Sequence, residues 1–153
     1  VGFQLKVIAT NKKAYTDYVI DETYEAGIVL VGTEVKSLRD HGASFKDSFC
    51  RIKDGEIWLL NLHIPPYQHG NIYNHDPERP RKLLLHRKQL DRIWGKVRQE
   101  GYTIVPTKIY FNDQGKVKVE IAVAKGKKTY DKREEIKKKE TQKKIKEYLK
   151  YNR

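Results

Sequence analysis

The last 29 residues, Lys125 to Arg153, hold 13 Lys and Arg against 5 Asp and Glu, with few aliphatic side chains among them. A stretch so charged cannot bury enough apolar surface to fold by itself. Any hydrophobic interior must come from the first 124 residues, which carry a net charge of +4 against +8 for the tail. The chain therefore reads as two parts: a body over 1–124 and a basic tail over 125–153. One body of that length suits a single compact domain.

Strand signals dominate the body. Asp17 to Thr23 and Gly27 to Val31 are rich in Tyr, Val, Ile and Leu, side chains that favour pleated, half-buried surfaces. Ser48 to Lys53 and Glu56 to His63 flank Asp54-Gly55, a pair suited to the positive φ of a tight hairpin. Tyr102 to Phe111 and Lys116 to Ala124 flank a second turn, Asn112 to Gly115. In the last of these, Val117, Val119, Ile121 and Val123 alternate with Lys118, Glu120 and Ala122. That period of two sets one face in a core and the other toward water or a ligand. Pro106 predicts a bulge or a sheet edge.

Two helices interrupt the strands. Thr33 is placed to cap Glu34 to Asp40, with Gly42 to end it. His86 to Glu100 carries Leu90, Ile93, Trp94 and Val97 at helical spacing, a stripe expected to lie on the sheet with Arg87, Lys88, Arg92, Lys96 and Arg98 outside. About six short antiparallel strands with helices at the joints predict a mainly β fold, and the oligonucleotide-binding type of small barrel is the leading candidate. The segment Ile64 to Pro80 holds four of the five prolines and is too long for an idle loop.

Several chemistries find no support. The lone Cys50 excludes an internal disulfide and a Cys-rich zinc site, and its place in a strand points to a small buried hydrophobe. His63, His69, His75 and Asp76 lack the spacing of a metal set. Ala124 to Thr129 resembles a phosphate loop only superficially, because Ile121 and Lys128 stand where that motif needs Gly and Ser or Thr. No nucleophile–base pair is evident, so neither a catalytic residue nor a cofactor is expected. No run of about 18 apolar residues exists to cross a bilayer, and the opening residues lack the pattern of a secretory signal. A cytoplasmic protein is expected, and the start at Val1 points to a native beginning other than the one present.

A strongly basic chain calls for a polyanion, and nucleic acid leads. Cations cluster at Asn11-Lys12-Lys13, Lys36 and Arg39, Arg79, Arg81 and Lys82, and Lys116 and Lys118. Tyr15, Tyr18, Tyr67, Tyr73 and Tyr110 offer faces for base stacking, although half-buried barrel tyrosines would look the same. Glu25 has two readings: an acceptor for a base edge, or a structural salt bridge, which leads on physical grounds. In the tail, Glu134–Lys138, Glu135–Lys139 and Glu140–Lys144 are spaced to support a helix, each pair by about 0.2–0.5 kcal/mol. Ile145, Tyr148 and Leu149 make too short a stripe to dock firmly. The tail is expected to be loose alone and helical against phosphate, a merely solubilising tail being the plainer alternative.

Several blocks resemble the small protein B family, the tmRNA-binding proteins of bacterial trans-translation. They are Asn11 to Ala14, Tyr24 to Ile28, Gly32 to Arg39, Asn74 to Pro77, Arg81 to His86, and Gly126-Lys127-Lys128 followed by Asp131-Lys132-Arg133. The resemblance implies a non-enzymatic barrel that grips the tRNA-like domain of tmRNA near its elbow. It further implies a tail that enters the mRNA channel beside the small-subunit decoding centre of a stalled ribosome, allowing rescue and peptide tagging. Alanyl-tRNA synthetase and elongation factor Tu would be indirect partners through the RNA. Asn11, Tyr18, Glu25, Leu85 and Lys118 match positions of the family's RNA-binding surface. Gly126 matches a hinge, Tyr130 a ring that stacks in the decoding region, and Asp131 to Arg133 the start of the functional tail. Thr16, where His is frequent, and Thr107, where Leu is usual, depart from the pattern. A general structured-RNA-binding or ribosomal protein with a basic extension is the alternative, and an RNA-processing hydrolase a more distant one.

Overall fold

The computed structural model describes residues 6–67, 74–99 and 101–127. In order these form β1 (Lys6–Thr10), α1 (Lys12–Asp17), β2 (Tyr18–Ile28), α2 (Gly32–Asp40), β3 (Phe49–Lys53), β4 (Glu56–Leu60), β5 (Arg81–Leu84), α3 (Arg87–Val97), β6 (Tyr102–Phe111) and β7 (Val117–Gly126). Every strand pair is antiparallel. The sheet runs β1-β6-β3-β4-β5-β2-β7, and β7 pairs again with β6, so six of the seven strands close a ring with β1 appended. This is the small antiparallel barrel that the strand pattern predicts.

The hairpins form where expected. Asp54 and Gly55 both adopt positive φ between β3 and β4, and Gly115 does so between β6 and β7. Pro106 sits at a register shift between β6 and β7, as its missing N–H requires. Other expectations need correction. The two strands read between Asp17 and Val31 are one strand, β2, bulged between Ile20 and Glu22. β7 pairs with it continuously, so Ala26 and Gly27 stay in the ladder. β1, α1 and β5, of five, six and four residues, are too short to announce themselves in the sequence.

Two further corrections concern helices. Thr33 does not cap α2; the N-cap is Val31, which has no side-chain acceptor, and the Val31 N–H donates instead to the Glu34 carboxylate at 2.9 Å. Trp94 does not lie on the sheet but is 47% exposed. Ile93 is the buried centre of α3, with Leu90 and Val97 packed beside it, and this leaves Trp94 at the rim. Arg92 and Lys96 do face outward, where they pair with Glu22 and Asp21 of β2 at 2.7 and 2.8 Å. The Arg92 guanidinium and the Tyr24 hydroxyl lower the Glu22 pKa, while burial and that hydrogen bond push Tyr24 up to about 12.

The interior is aliphatic, centred on Ile57, Leu59, Leu62, Ile64, Ile93, Ile109, Val119, Ile121 and Val123. Cys50 lies in it, and burial pushes its thiol well above the ordinary range. A second, smaller core lies where Ala14 of α1 covers Val105, Ala122 and Ala124. The outward face of β7 is thus closed at its far end and open only around Lys118 and Glu120.

Arg81, read as an RNA-facing cation, is instead fully buried. Its Nη2 lies 2.6 Å from Oε2 of Glu34, which is also fully buried. Its Nε donates to the same oxygen at 2.7 Å, and its Nη1 and Nη2 donate to the carbonyls of Leu62 and Pro77. Arg79 donates to the other Glu34 oxygen at 2.5 Å. His75 completes the anchor, bridging the Thr33 hydroxyl and the Ile64 carbonyl at 2.9 Å each. The Pro-rich segment is therefore stitched to α2 through its described ends. His69 and Tyr73 lie outside the described residues.

Burial alone would raise the Glu34 carboxyl, but Arg79, the Val31 N–H and Arg81 outweigh it and hold the pKa below 4.5. A depressed carboxyl contributes stability that is present above its unfolded pKa and lost as pH falls through the folded one. Melting temperature should fall as pH drops below about 4.5, less steeply in Glu34→Gln. Arg81→Met should cost about 3–5 kcal/mol in unfolding free energy, because it removes one of the two guanidinium partners of the buried Glu34 carboxylate; denaturant titration would measure it.

Candidate nucleic-acid interface

The residues singled out by the resemblance gather at two ends of β2. Tyr18 opens the strand, and Asn11, Lys13 and Tyr18 line one concavity together with Phe49 and Val105. Near the other end, Glu25, Gly27, Leu85 and Lys118 line a second. At ~3.3 Å per residue Tyr18 and Glu25 are at most roughly 23 Å apart, a span that suits an extended nucleic-acid contact rather than a small molecule.

Antiparallel register builds the second concavity. Glu25 lies opposite Glu120, and Gly27 opposite Lys118, across β2 and β7. Across β7 and β6, Glu120 lies opposite Lys108 and Lys118 opposite Tyr110. Two carboxylates side by side would repel each other. Each accepts a hydrogen bond from a hydroxyl: the Tyr110 Oη donates to Glu25 Oε2, and the Thr107 Oγ1 donates to Glu120 Oε2 at 2.5 Å. Among the described residues, then, the Glu25 partner is a hydroxyl and not the cation that a structural salt bridge would need. Tyr110 is only 3% exposed, so it holds Glu25 and offers no stacking face. Burial and the Glu25 carboxylate raise its pKa far above 10.0. Thr107, a departure from the family pattern, has a use of its own as the donor to Glu120.

Asn11 is buried, and its Nδ2 donates to the Pro106 carbonyl at 2.8 Å. Its backbone N–H donates to Thr107 O at 2.7 Å. It ties the start of α1 to the bulge in β6, so it supports the neighbouring Lys12 and Lys13, which are exposed. Lys82 pairs with Glu56 at 2.7 Å. Lys36 sits over the Tyr67 ring and Arg39 over Phe111, while Arg79 is committed to Glu34. Among the described residues, fewer of these cations are open to a ligand than the sequence implied. β7 runs through Gly126, and the Lys127 N–H donates to Asp17 O at 2.8 Å. Lys128, Tyr130, Asp131, Lys132 and Arg133 lie outside the described residues. Sequence reasoning missed Tyr110 as the partner of Glu25; the β6–β7 turn sets Tyr110 beside Lys118, but the β2–β7 register that brings in Glu25 has no local signal.

No group of three His, Cys, Asp or Glu side chains suited to a metal occurs among the described residues, and none of their helices is long and apolar enough to cross a membrane. The fold is a small antiparallel barrel with two concavities on its outer wall. The family model described as SmpB protein matches residues 8–151, and the chain belongs to that family. It is 87% identical over 149 residues to the SsrA-binding protein of Fervidobacterium nodosum, covering 97% of this chain and 100% of that one. It is 72% identical to the SsrA-binding protein of Thermosipho africanus, with the same coverage. A solved chain described as "tmRNA-SmpB: a journey to the center of the bacterial ribosome" matches with a TM-score of 0.67 and 56% identity, over 81% of this chain and 87% of that one.

Asn11→Ala removes a buried donor and should cost ~1–2 kcal/mol in stability. Glu25→Gln keeps an acceptor for Tyr110 and should stay within about 0.5 kcal/mol of the parent. Parallel chemical denaturation of the two variants checks both.

Proposed function

We propose that this chain is a non-enzymatic RNA-binding factor of trans-translation, acting in the cytoplasm with tmRNA and the ribosome. The outer wall of the barrel, from Asn11 and Tyr18 to Glu25, Leu85 and Lys118, binds the tRNA-like domain of tmRNA. The tail that begins at Gly126 and Lys127 enters the decoding region and mRNA channel of a stalled ribosome, with Lys128, Tyr130, Asp131, Lys132 and Arg133 at its working start. Elongation factor Tu and alanyl-tRNA synthetase meet the complex through the RNA.

The observation that carries this reading is the convergence of Glu25, Leu85 and Lys118 on one concavity in a chain of the SmpB family. Relatives of 87% and 72% identity named SsrA-binding protein support the choice of RNA. The split of charge, +4 in the body and +8 in the tail, supports a division of labour. A modestly charged barrel reads shape, and a strongly charged tail suits a channel walled by phosphate.

Truncation after Lys127 keeps the closed ring and the Lys127 N–H bond to Asp17. It should leave affinity for the tRNA-like domain within a few-fold while abolishing ribosome-dependent tagging. Gel-shift and reconstituted tagging assays measure the two activities, and equal loss of both would contradict the division.

A further inference from the structure

Alternation along β3, β4 and β5 gives the barrel a second outer face. Cys50, Ile57, Leu59, Arg81 and Leu83 are buried, so Phe49 and Arg51 of β3, Trp58 and Leu60 of β4, and Lys82 of β5 point the other way. Register sets these side chains in two rows. Phe49 lies opposite Leu60 in one. In the next, Trp58 stands between Arg51 on one strand and Lys82 on the other. Neighbouring strands are about 4.8 Å apart, so the indole has a cation on either side.

The fold uses these side chains only in part. Trp58 and Leu60 are half-buried, and Phe49 is 41% exposed. Trp58, Leu60 and Pro80 form the apolar part of a concavity of about 460 Å³, with Arg51 and Lys53 at its edge. Of the two acids there, Glu56 is neutralised by Lys82 and Asp54 stands in the hairpin turn. Arg51 and Lys53 are exposed and make no ion pair among the described residues. A flat ring with cations one strand away is what a stacked base and its flanking phosphates require, and it tolerates any sequence because every base has a π face. Continuity names RNA as the occupant. Phe49 also lines the concavity of Asn11, Lys13 and Tyr18, and its partner Leu60 lines this one. The two concavities meet at that pair, so the patch runs on from a surface already assigned to RNA under the proposed function. We propose that Trp58 is a stacking platform for one unpaired base of RNA, with Arg51 and Lys53 at the flanking phosphates. Phe49 and Leu60 lead the strand in from the Tyr18 concavity. This inference rests on the reading of the chain as an RNA-binding factor and adds a contact on β3 and β4, away from the residues that reading uses.

The test uses the full chain, bound either to the tRNA-like domain of tmRNA or, with whole tmRNA, to stalled ribosomes. A Trp58→benzoylphenylalanine protein, irradiated in each complex, joins covalently to whatever covers the position. The expected product is a crosslink to a single unpaired nucleotide, and the complex that yields it shows whether tmRNA or ribosomal RNA supplies the base. Trp58→Ala should weaken binding to that RNA about tenfold, the scale of one stacked base, while Trp58→Phe stays within about twofold. Arg51→Met and Lys53→Met should each lower the salt slope of binding by about one. Both side chains are exposed, so these two variants carry the test even if Trp58→Ala melts early. A crosslink to protein alone, or to nothing, would overturn the platform and leave the functional reading intact. So would salt slopes and affinities unchanged in the Arg51, Lys53 and Trp58 variants. Failure of the parent to bind either RNA would overturn both.

Discussion

β7 is paired along both edges, to β2 from Tyr18 to Gly27 and to β6 from Tyr102 to Phe111. The rest of the molecule depends on that double register. Inward, it stacks Val119, Ile121 and Val123 in the core. Outward, it fixes which side chains from three strands share a row: Gly27, Lys118 and Tyr110 in one, Glu25, Glu120 and Lys108 in the next. A slip of one residue would send Lys118 and Glu120 into the core and abolish the surface. The bulges at Ile20/Glu22 and at Pro106/Lys108 keep the two ladders in step as the sheet curls.

The outer row shows how an acidic side chain is kept on the proposed RNA surface. Glu25 and Glu120 face each other, and two hydroxyls, one from Tyr110 and one from Thr107, quiet the pair. No cation neutralises Glu25 among the described residues, so its charge remains available to a partner. Elsewhere acid and base are spent on the fold: Glu34 with Arg81 and Arg79, Asp21 with Lys96, Glu22 with Arg92.

Much of this was legible in the sequence. The alternation in Val117–Val123, the turns at Asp54-Gly55 and Asn112–Gly115, and Pro106 each encode local geometry, and each appears where it was read. The failures have physical causes. Arg81 looks like a surface cation because polarity argues for exposure, and only the distant Glu34 explains its burial. β5, with Arg81 and Lys82 in four residues, has too short a pattern to reveal a strand. The α3 stripe is narrower than its spacing suggests, since Ile93, Leu90 and Val97 suffice to cover the sheet and Trp94 does not join them. Glu25 was recognisable as important, but its partner Tyr110 lies 85 residues away and is set by register rather than by any local signal.

The central claim is that the folded wall selects RNA by shape while the tail contributes charge without selection. Titrating the full chain with the tRNA-like domain of tmRNA, and with plain duplex RNA of equal length, across a range of salt separates these contributions. The account predicts a clear preference for the tRNA-like RNA that persists as salt rises, with both affinities falling. Equal affinity for the two RNAs at every salt concentration would contradict it.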